Sequence, residues 1–190
     1  VARPRRQQQD VVLDGIARAL ATRTELRPWT LADVAPFAGL SPAGLVKRFG
    51  SRRGIIVALS RRWIDAVPGA PDPRRRPWDE LREWAVLRFG AEDGTVPAAL
   101  GQLVDELADP ELRTLLDEGW TRERAYLAAL LAEAGLPRLG DPVAAADVLF
   151  DALTGAAIRA AAGSRPPPAG PPAASDPVRR TLDTMEEAWT

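Results

Sequence analysis

Four cations bunch in one short stretch of the chain, Lys47 and Arg48 and then Arg52 and Arg53, and Lys47 is the sole lysine of the sequence. Ammonium and guanidinium groups gathered this closely suit phosphate, whose oxygens take their hydrogen bonds and whose counterions they release. The residues just before them are chemically sparse. Among Ser41, Pro42, Ala43 and Gly44, only the serine has a side-chain donor for a base edge. Lys47 and Arg48 supply the other donors, Pro42 and Ala43 can touch a thymine methyl, and Gly44 lets backbone approach. Thr30, Arg52 and Arg53 are spaced to hold phosphate and set orientation rather than to read sequence.

Other chemistries find little support. The chain has no cysteine and no histidine. That excludes disulfides, thiolate nucleophiles, imidazole bases and the usual zinc ligand sets. No paired-acid motif and no glycine-rich phosphate loop stand out. The expectation is therefore a non-enzyme without cofactor or metal. No apolar run is long enough to span a bilayer and no signal peptide is visible, so a soluble, cytoplasmic protein is expected.

The cations need elements to position them, and the sequence supplies these. Thr30 can cap a short helix through its hydroxyl. Leu31, Val34, Ala35 and Ala38 give that helix an apolar face. Gly39 can end it in a left-handed conformation. Ser41 then caps a second short helix with Pro42 at its first position. Leu45 and Phe49 face inward, and Ser51 caps a third helix. Two short helices joined at a glycine and ringed by cations predict a helix-turn-helix, its second helix offered to the major groove. Pro36 inside the first of them removes a hydrogen bond and predicts a kink or loosening there.

On these residues the chain resembles the DNA-binding domain of TetR-family transcriptional regulators. The matching features are Thr30 opening the second helix, the turn Ala38-Gly39-Leu40-Ser41, Phe49 after the recognition helix, and Ser51-Arg52 opening the fourth. The chain departs from the family pattern at Val46, where a phosphate-touching tyrosine is usual, and at Arg52, where lysine is common. The resemblance implies an all-α fold of about nine helices. A helix-turn-helix head would occupy residues 1–50, a connecting helix 51–67, and an antiparallel helical body for ligand and dimer 68–190.

Charge supports a two-part plan. Residues 1–63 hold 12 Lys and Arg against 4 Asp and Glu, whereas residues 64–190 hold 13 against 22. A basic head on an acidic body is expected where one end alone meets phosphate. Helical periodicity predicts a first helix over about 7–21 on a stripe of Val12, Leu13, Ile16 and Leu20. Arg3, Arg5 and Arg6 precede it, either as an arm along phosphates or as a disordered tail. Further helices are predicted over about 78–89, 96–107 (Ala99, Leu100, Leu103, Val104 and Leu107 inward), 110–134, 142–162 and 177–189. No strand pattern and no internal repeat is found.

The body would hold the effector in an apolar cavity between helices. Trp84, Trp120, Tyr126 and Phe150 are candidates for its wall, and Arg88 or Tyr126 for a polar anchor. Plain core packing is the competing reading for each. Few polar groups are expected in this core. A dimer seam is expected from the small residues Ala152, Gly155 and Ala156 and the apolar stripe Val178, Leu182, Met185 and Trp189. The competing reading folds these helices back onto their own core. Together these readings predict a ligand-responsive, homodimeric regulator. It would be a repressor released from a palindromic double-stranded operator by a small, mainly apolar effector. The alternatives are a helical carrier or enzyme that keeps a basic head, or a regulator controlled by a protein partner.

Overall fold

The structure is a computed structural model of the 190-residue chain, and it describes residues 3–25, 27–90, 96–162 and 177–190. Among the described residues the chain forms nine helices and no strand, the all-α class expected. They are α1 (Arg3–Ala21), α2 (Leu31–Ala38), α3 (Pro42–Phe49), α4 (Arg52–Ala66), α5 (Pro77–Phe89), α6 (Val96–Ala108), α7 (Pro110–Ala134), α8 (Pro142–Ala162) and α9 (Pro177–Trp189). The proline-rich stretch before α9 lies outside the described residues.

The helices gather into two compact units. The first comprises Val1–Ala66 with Pro97–Gly119, and the second comprises Val67–Val96 with Trp120–Thr190. In the first unit, Ile16, Val34, Leu45 and Ile55 from α1, α2, α3 and α4 close on one another with essentially no exposure. Leu112 and Leu115 at the start of α7 join the same core. Each such aliphatic side chain stabilises the unit by about 1.5–3 kcal/mol relative to exposure.

Local details differ from the sequence reading. α1 starts at Arg3 rather than near Gln7. Arginine and glutamine are good helix formers, and proline is tolerated in a first turn, so nothing at Pro4 stops it. The expected arm of Arg3, Arg5 and Arg6 is thus helical backbone, and the placement of those side chains lies outside the described residues. Pro36 sits inside α2 without interrupting it. It is exposed, so its lost hydrogen bond falls on the solvent side, while buried Val34, Ala35 and Ala38 hold the helix down. Gly39 closes α2 at φ 63° and returns its N–H to the Ala35 carbonyl. A side chain would strain that left-handed conformation.

α6 turns a different face inward from the one its apolar spacing predicts. Val104 is 66% exposed and Leu107 40%, whereas Glu106 is buried. The reason is a polar chain running from α6 to the loop before α2. The Trp29 indole N–H donates to Gln102 Oε1 at 3.2 Å, and Gln102 Nε2 donates to Glu106 Oε1 at 2.7 Å. Burial pushes the Glu106 carboxyl upward, against the lowering effect of the Gln102 hydrogen bond. Deeper in this unit, Gly119 of α7 meets Trp63 of α4.

The second unit packs α5, the latter part of α7, α8 and α9 around Leu81, Leu127, Leu130, Leu149, Leu153 and Leu182. Its core is more polar than expected. Glu80 and Glu123 are both buried. Glu80 is satisfied by the Tyr126 hydroxyl, which donates to Oε1 at 2.5 Å, and by the Asp72 backbone N–H at 3.0 Å from Oε2. Glu123 accepts from Arg88 Nε. Glutamates at helical spacing read as a solvated face in a sequence. Only the partner residues, distant in the chain, reveal that these two point inward.

Candidate nucleic-acid interface

Helix α3 is held from behind and open in front. Ser41 caps it, its Oγ accepting the Gly44 N–H at 3.1 Å. Leu45 is wholly buried, Gly44, Arg48 and Phe49 are half-buried, and Gly50 closes the helix with its N–H on the Val46 carbonyl. Ser41, Pro42, Ala43, Val46 and Lys47 remain exposed along the outer face. Of the predicted reading residues, Ser41, Pro42, Ala43 and Lys47 lie on this exposed face, and Gly44 and Arg48 do not. Among the described residues, Lys47 and Arg48 have no ion-pair partner, and both are in the last turn of α3, where cations complement the helix dipole.

Thr30 is the N-cap of α2 and forms a capping box with Asp33. Its hydroxyl donates to Asp33 Oδ2 at 3.0 Å, and its backbone N–H donates to the same oxygen at 2.7 Å. Asp33 is also gripped by Arg27 through both carboxylate oxygens, at 2.8 and 2.9 Å. The Arg27 hydrogen bond, reinforced by Thr30, holds the Asp33 carboxyl far below its ordinary range. The start of α2 is thus fixed by a carboxylate, and Thr30 stays exposed beside it.

The two arginines opening α4 are the larger surprise. Arg52 lies over the Trp29 ring, 4.9 Å from its centroid, and donates to Asp105 Oδ2 at 3.1 Å. Arg53 donates to Asp109 through Nε at 2.5 Å and Nη2 at 3.0 Å, and to Glu111 through Nη2 at 2.8 Å. Asp109 also caps α7, its Oδ1 accepting the N–H groups of Glu111 and Leu112. The Arg53 hydrogen bond is the main cause that lowers the Asp109 carboxyl to about 2. Ser51 Oγ accepts the Gly54 N–H at 3.1 Å and caps the same helix start. Sequence reasoning placed Arg52 and Arg53 at phosphate and missed their acidic partners, which lie more than fifty residues away in the chain.

In the second unit, Trp84, Tyr126 and Phe150 of the predicted effector region pack edge to face in one cluster with Phe89. Trp84 meets Phe89 at 6.0 Å and Tyr126 at 5.6 Å between centroids, and Phe89 meets Phe150 at 5.6 Å. Trp120 lies partly buried against the same core. Both predicted anchors are engaged, Arg88 by Glu123 and Tyr126 by Glu80. An open groove lined by Asp79, Arg82, Glu83, Val86, Leu87 and Arg179 lies between α5 and α9, away from those rings.

The predicted dimer residues divide. Val178, Leu182 and Ala156 are buried inside the chain's own core. Trp189 meets Trp78 edge to face at 6.3 Å, and Met185 packs against the same core. The α9 stripe finds apolar partners in α5 and α8 of its own chain. Ala152 and Gly155 are only half-buried on α8, and Val148 and Ile158 on that helix are exposed at 57% and 43%.

A capped helix, buried on one side by Leu45 and bare on the other, behind a helix-glycine turn, is a helix-turn-helix module, the class of element that lies in a major groove. Compared with solved structures, the chain is similar to a crystal structure from Rhodococcus sp. assigned to the TetR family of transcriptional regulators. The TM-score is 0.66 over 96% of this chain and 98% of that one, at 21% identity. The likeness extends a TetR-like fold over 96% of the chain. No family model matches the sequence, and no curated protein does.

Proposed function

We propose that the chain is a TetR-type transcriptional regulator that binds double-stranded DNA through α3 as a homodimer. The observation that carries this is the α3 surface, where Ser41, Pro42, Ala43, Val46 and Lys47 are exposed together while Leu45 anchors the helix from behind. Base contacts come from Ser41, Lys47 and Arg48, with methyl contacts from Pro42 and Ala43 and close backbone approach at Gly44. Thr30 and Arg53 face phosphate from the flanks. Two such helices, one from each copy, read half-sites about 34–36 Å apart.

The regulator acts as a repressor whose second unit takes a small, mainly apolar effector. Trp84, Tyr126 and Phe150, together with Trp120, give the ligand its wall when the edge-to-face contacts of the first three part. The effector must bind the DNA-incompetent arrangement more tightly, since a ligand indifferent to the two shifts nothing. The dimer forms through the outer face of α8, around Ala152 and Gly155. The decisive experiment is selection of random duplex fragments by the purified protein at a fixed, stated salt concentration. A palindromic consensus is expected, and fragments without any shared motif would sink the reading.

A further inference from the structure

The charge plan read from the sequence is much weaker in the folded units. Residues 97–119 carry six acidic side chains against the single Arg113. They belong to the same compact unit as the basic head, not to the other. Three of these acids, Asp105, Asp109 and Glu111, converge on Arg52 and Arg53, and Glu111 also approaches Arg61 at 3.6 Å.

The two arginines are held differently. Arg52 is pinned between the Trp29 ring and Asp105, and its Nε is buried. It is a positioning residue that ties α4 to α6. Arg53 is half-exposed, and three of its five N–H donors, those on Nε and Nη2, are taken by three carboxylate oxygens. A carboxylate forked on a guanidinium uses the donors that two phosphate oxygens would use. Asp109 cannot follow Arg53 toward DNA, because the same carboxylate caps α7. The pair is near the surface, where ion pairs contribute little net stability, so exchange of one anion for another is close to balanced.

We propose that Asp109 and Glu111 act as an internal stand-in for phosphate, so that Arg53 grips the DNA backbone only after leaving them. The inference rests on the DNA-binding reading and adds a control to it. The number of cations that α4 offers to DNA is set by the junction of α6 and α7. Any event that draws Asp109 and Glu111 away from Arg53 raises affinity without touching α3.

The test uses the full chain and a fluorescently labelled random-sequence DNA duplex, followed by anisotropy over a salt series. Asp109→Asn keeps the α7 cap, since asparagine caps as well as aspartate, and Glu111→Gln alters an exposed side chain. Circular dichroism checks that each variant folds, and Glu111→Gln alone is expected to show a smaller gain in the same direction. The double variant is expected to bind several-fold tighter at low salt, with log K falling more steeply against log salt by about one unit. Adding Arg53→Ala to it should erase both gains. A gain that survives Arg53→Ala reflects only the removal of negative charge and overturns the proposal, as does unchanged or weaker binding in the double variant. Lys47→Ala with Arg48→Ala in the otherwise native chain tests the underlying reading. If that change weakens binding while the acid variants do nothing, only the stand-in fails. If the native chain binds no duplex at all, both fail.

Discussion

Gly119 lies against the outer edge of the Trp63 indole, so close that a Cβ on the glycine would come within 2.1 Å of the ring. The two residues join α7 to α4 within the first unit. No side chain larger than hydrogen fits while the indole keeps its place. Gly119→Ala is therefore expected to displace Trp63 and to cost about 1–3 kcal/mol, the range for overpacking a filled site. Chemical denaturation with tryptophan fluorescence measures both effects. Trp63→Leu should relieve most of the penalty, so the two substitutions should be strongly non-additive in a double-mutant cycle. Additive costs would mean the ring is not what the new methyl meets.

Acid should loosen the junction between α4 and α7 in a defined window. The Asp109 carboxyl is lowered from 3.8 to about 2 in the folded chain, chiefly by Arg53. A depressed carboxylate contributes stability that is complete above its unfolded value and lost as pH falls through the folded one. Its share is thus present above about pH 4 and disappears between about pH 4 and 2. Asp33, gripped by Arg27 and Thr30, is shifted in the same direction and adds to the same loss. Urea midpoints measured across this range should fall more gently in Asp109→Asn than in the native chain. An identical pH slope would show that the ion pair does not form in solution.

The head was readable because its signals are local. Ser41 and Pro42 start a helix, Gly39 ends one, and Leu45 faces inward by spacing alone, all within a short stretch of chain. What the sequence hid depends on partners far away. Nothing near Arg53 announces Asp109, and nothing near Tyr126 announces Glu80. The inner face of α6 was misread for the same reason. Apolar spacing favoured Val104 and Leu107, but a hydrogen-bonded chain from Trp29 through Gln102 to Glu106 outweighs it. The α9 stripe has the right periodicity for a core helix, and periodicity does not say whose core. Val178 and Leu182 are satisfied at home.

Direct readout should be concentrated in two side chains. Lys47 and Arg48 are cations of α3 without ion-pair partners among the described residues, so replacing both with alanine should abolish preference for a selected site over random duplex. Competition binding at constant salt gives the ratio directly. A preference that persists would assign specificity to DNA shape instead. Leu45→Ala serves as the contrast. It removes a fully buried anchor, and is expected to cost about 2–5 kcal/mol of stability through the cavity it leaves.

Dimer formation should depend on α8 rather than α9. A Cβ on Gly155 meets nothing nearer than the far end of Arg159 at 3.3 Å, so the position has room for a side chain within the chain itself. Gly155→Arg is then expected to leave the thermal melt of the protomer nearly intact while shifting light scattering toward monomer. Leu182→Ala should do the reverse, destabilising the fold through a core cavity without a specific effect on association. A Gly155→Arg protein that stays dimeric would move the seam off this face.

If the proposed effector enters the second unit, the pair Arg88 and Glu123 constrains its charge. Arg88 donates to a glutamate that is fully buried beside the aromatic cluster. An anionic ligand reaching Arg88 must displace that carboxylate and leave it buried beside another negative charge, which is costly. A neutral apolar ligand parts Trp84 from Tyr126 and leaves the ion pair in place. Among matched compounds of equal size, neutral amides should therefore release labelled DNA at lower concentration than the corresponding carboxylates. Glu123→Gln removes the competing charge while keeping a similar shape, and is expected to move the preference toward the carboxylates. Tryptophan fluorescence should respond to the active compounds, because Trp84 meets both Tyr126 and Phe89. Carboxylates that outperform their amides in the native chain, with no change on Glu123→Gln, would remove Arg88 from the effector site altogether.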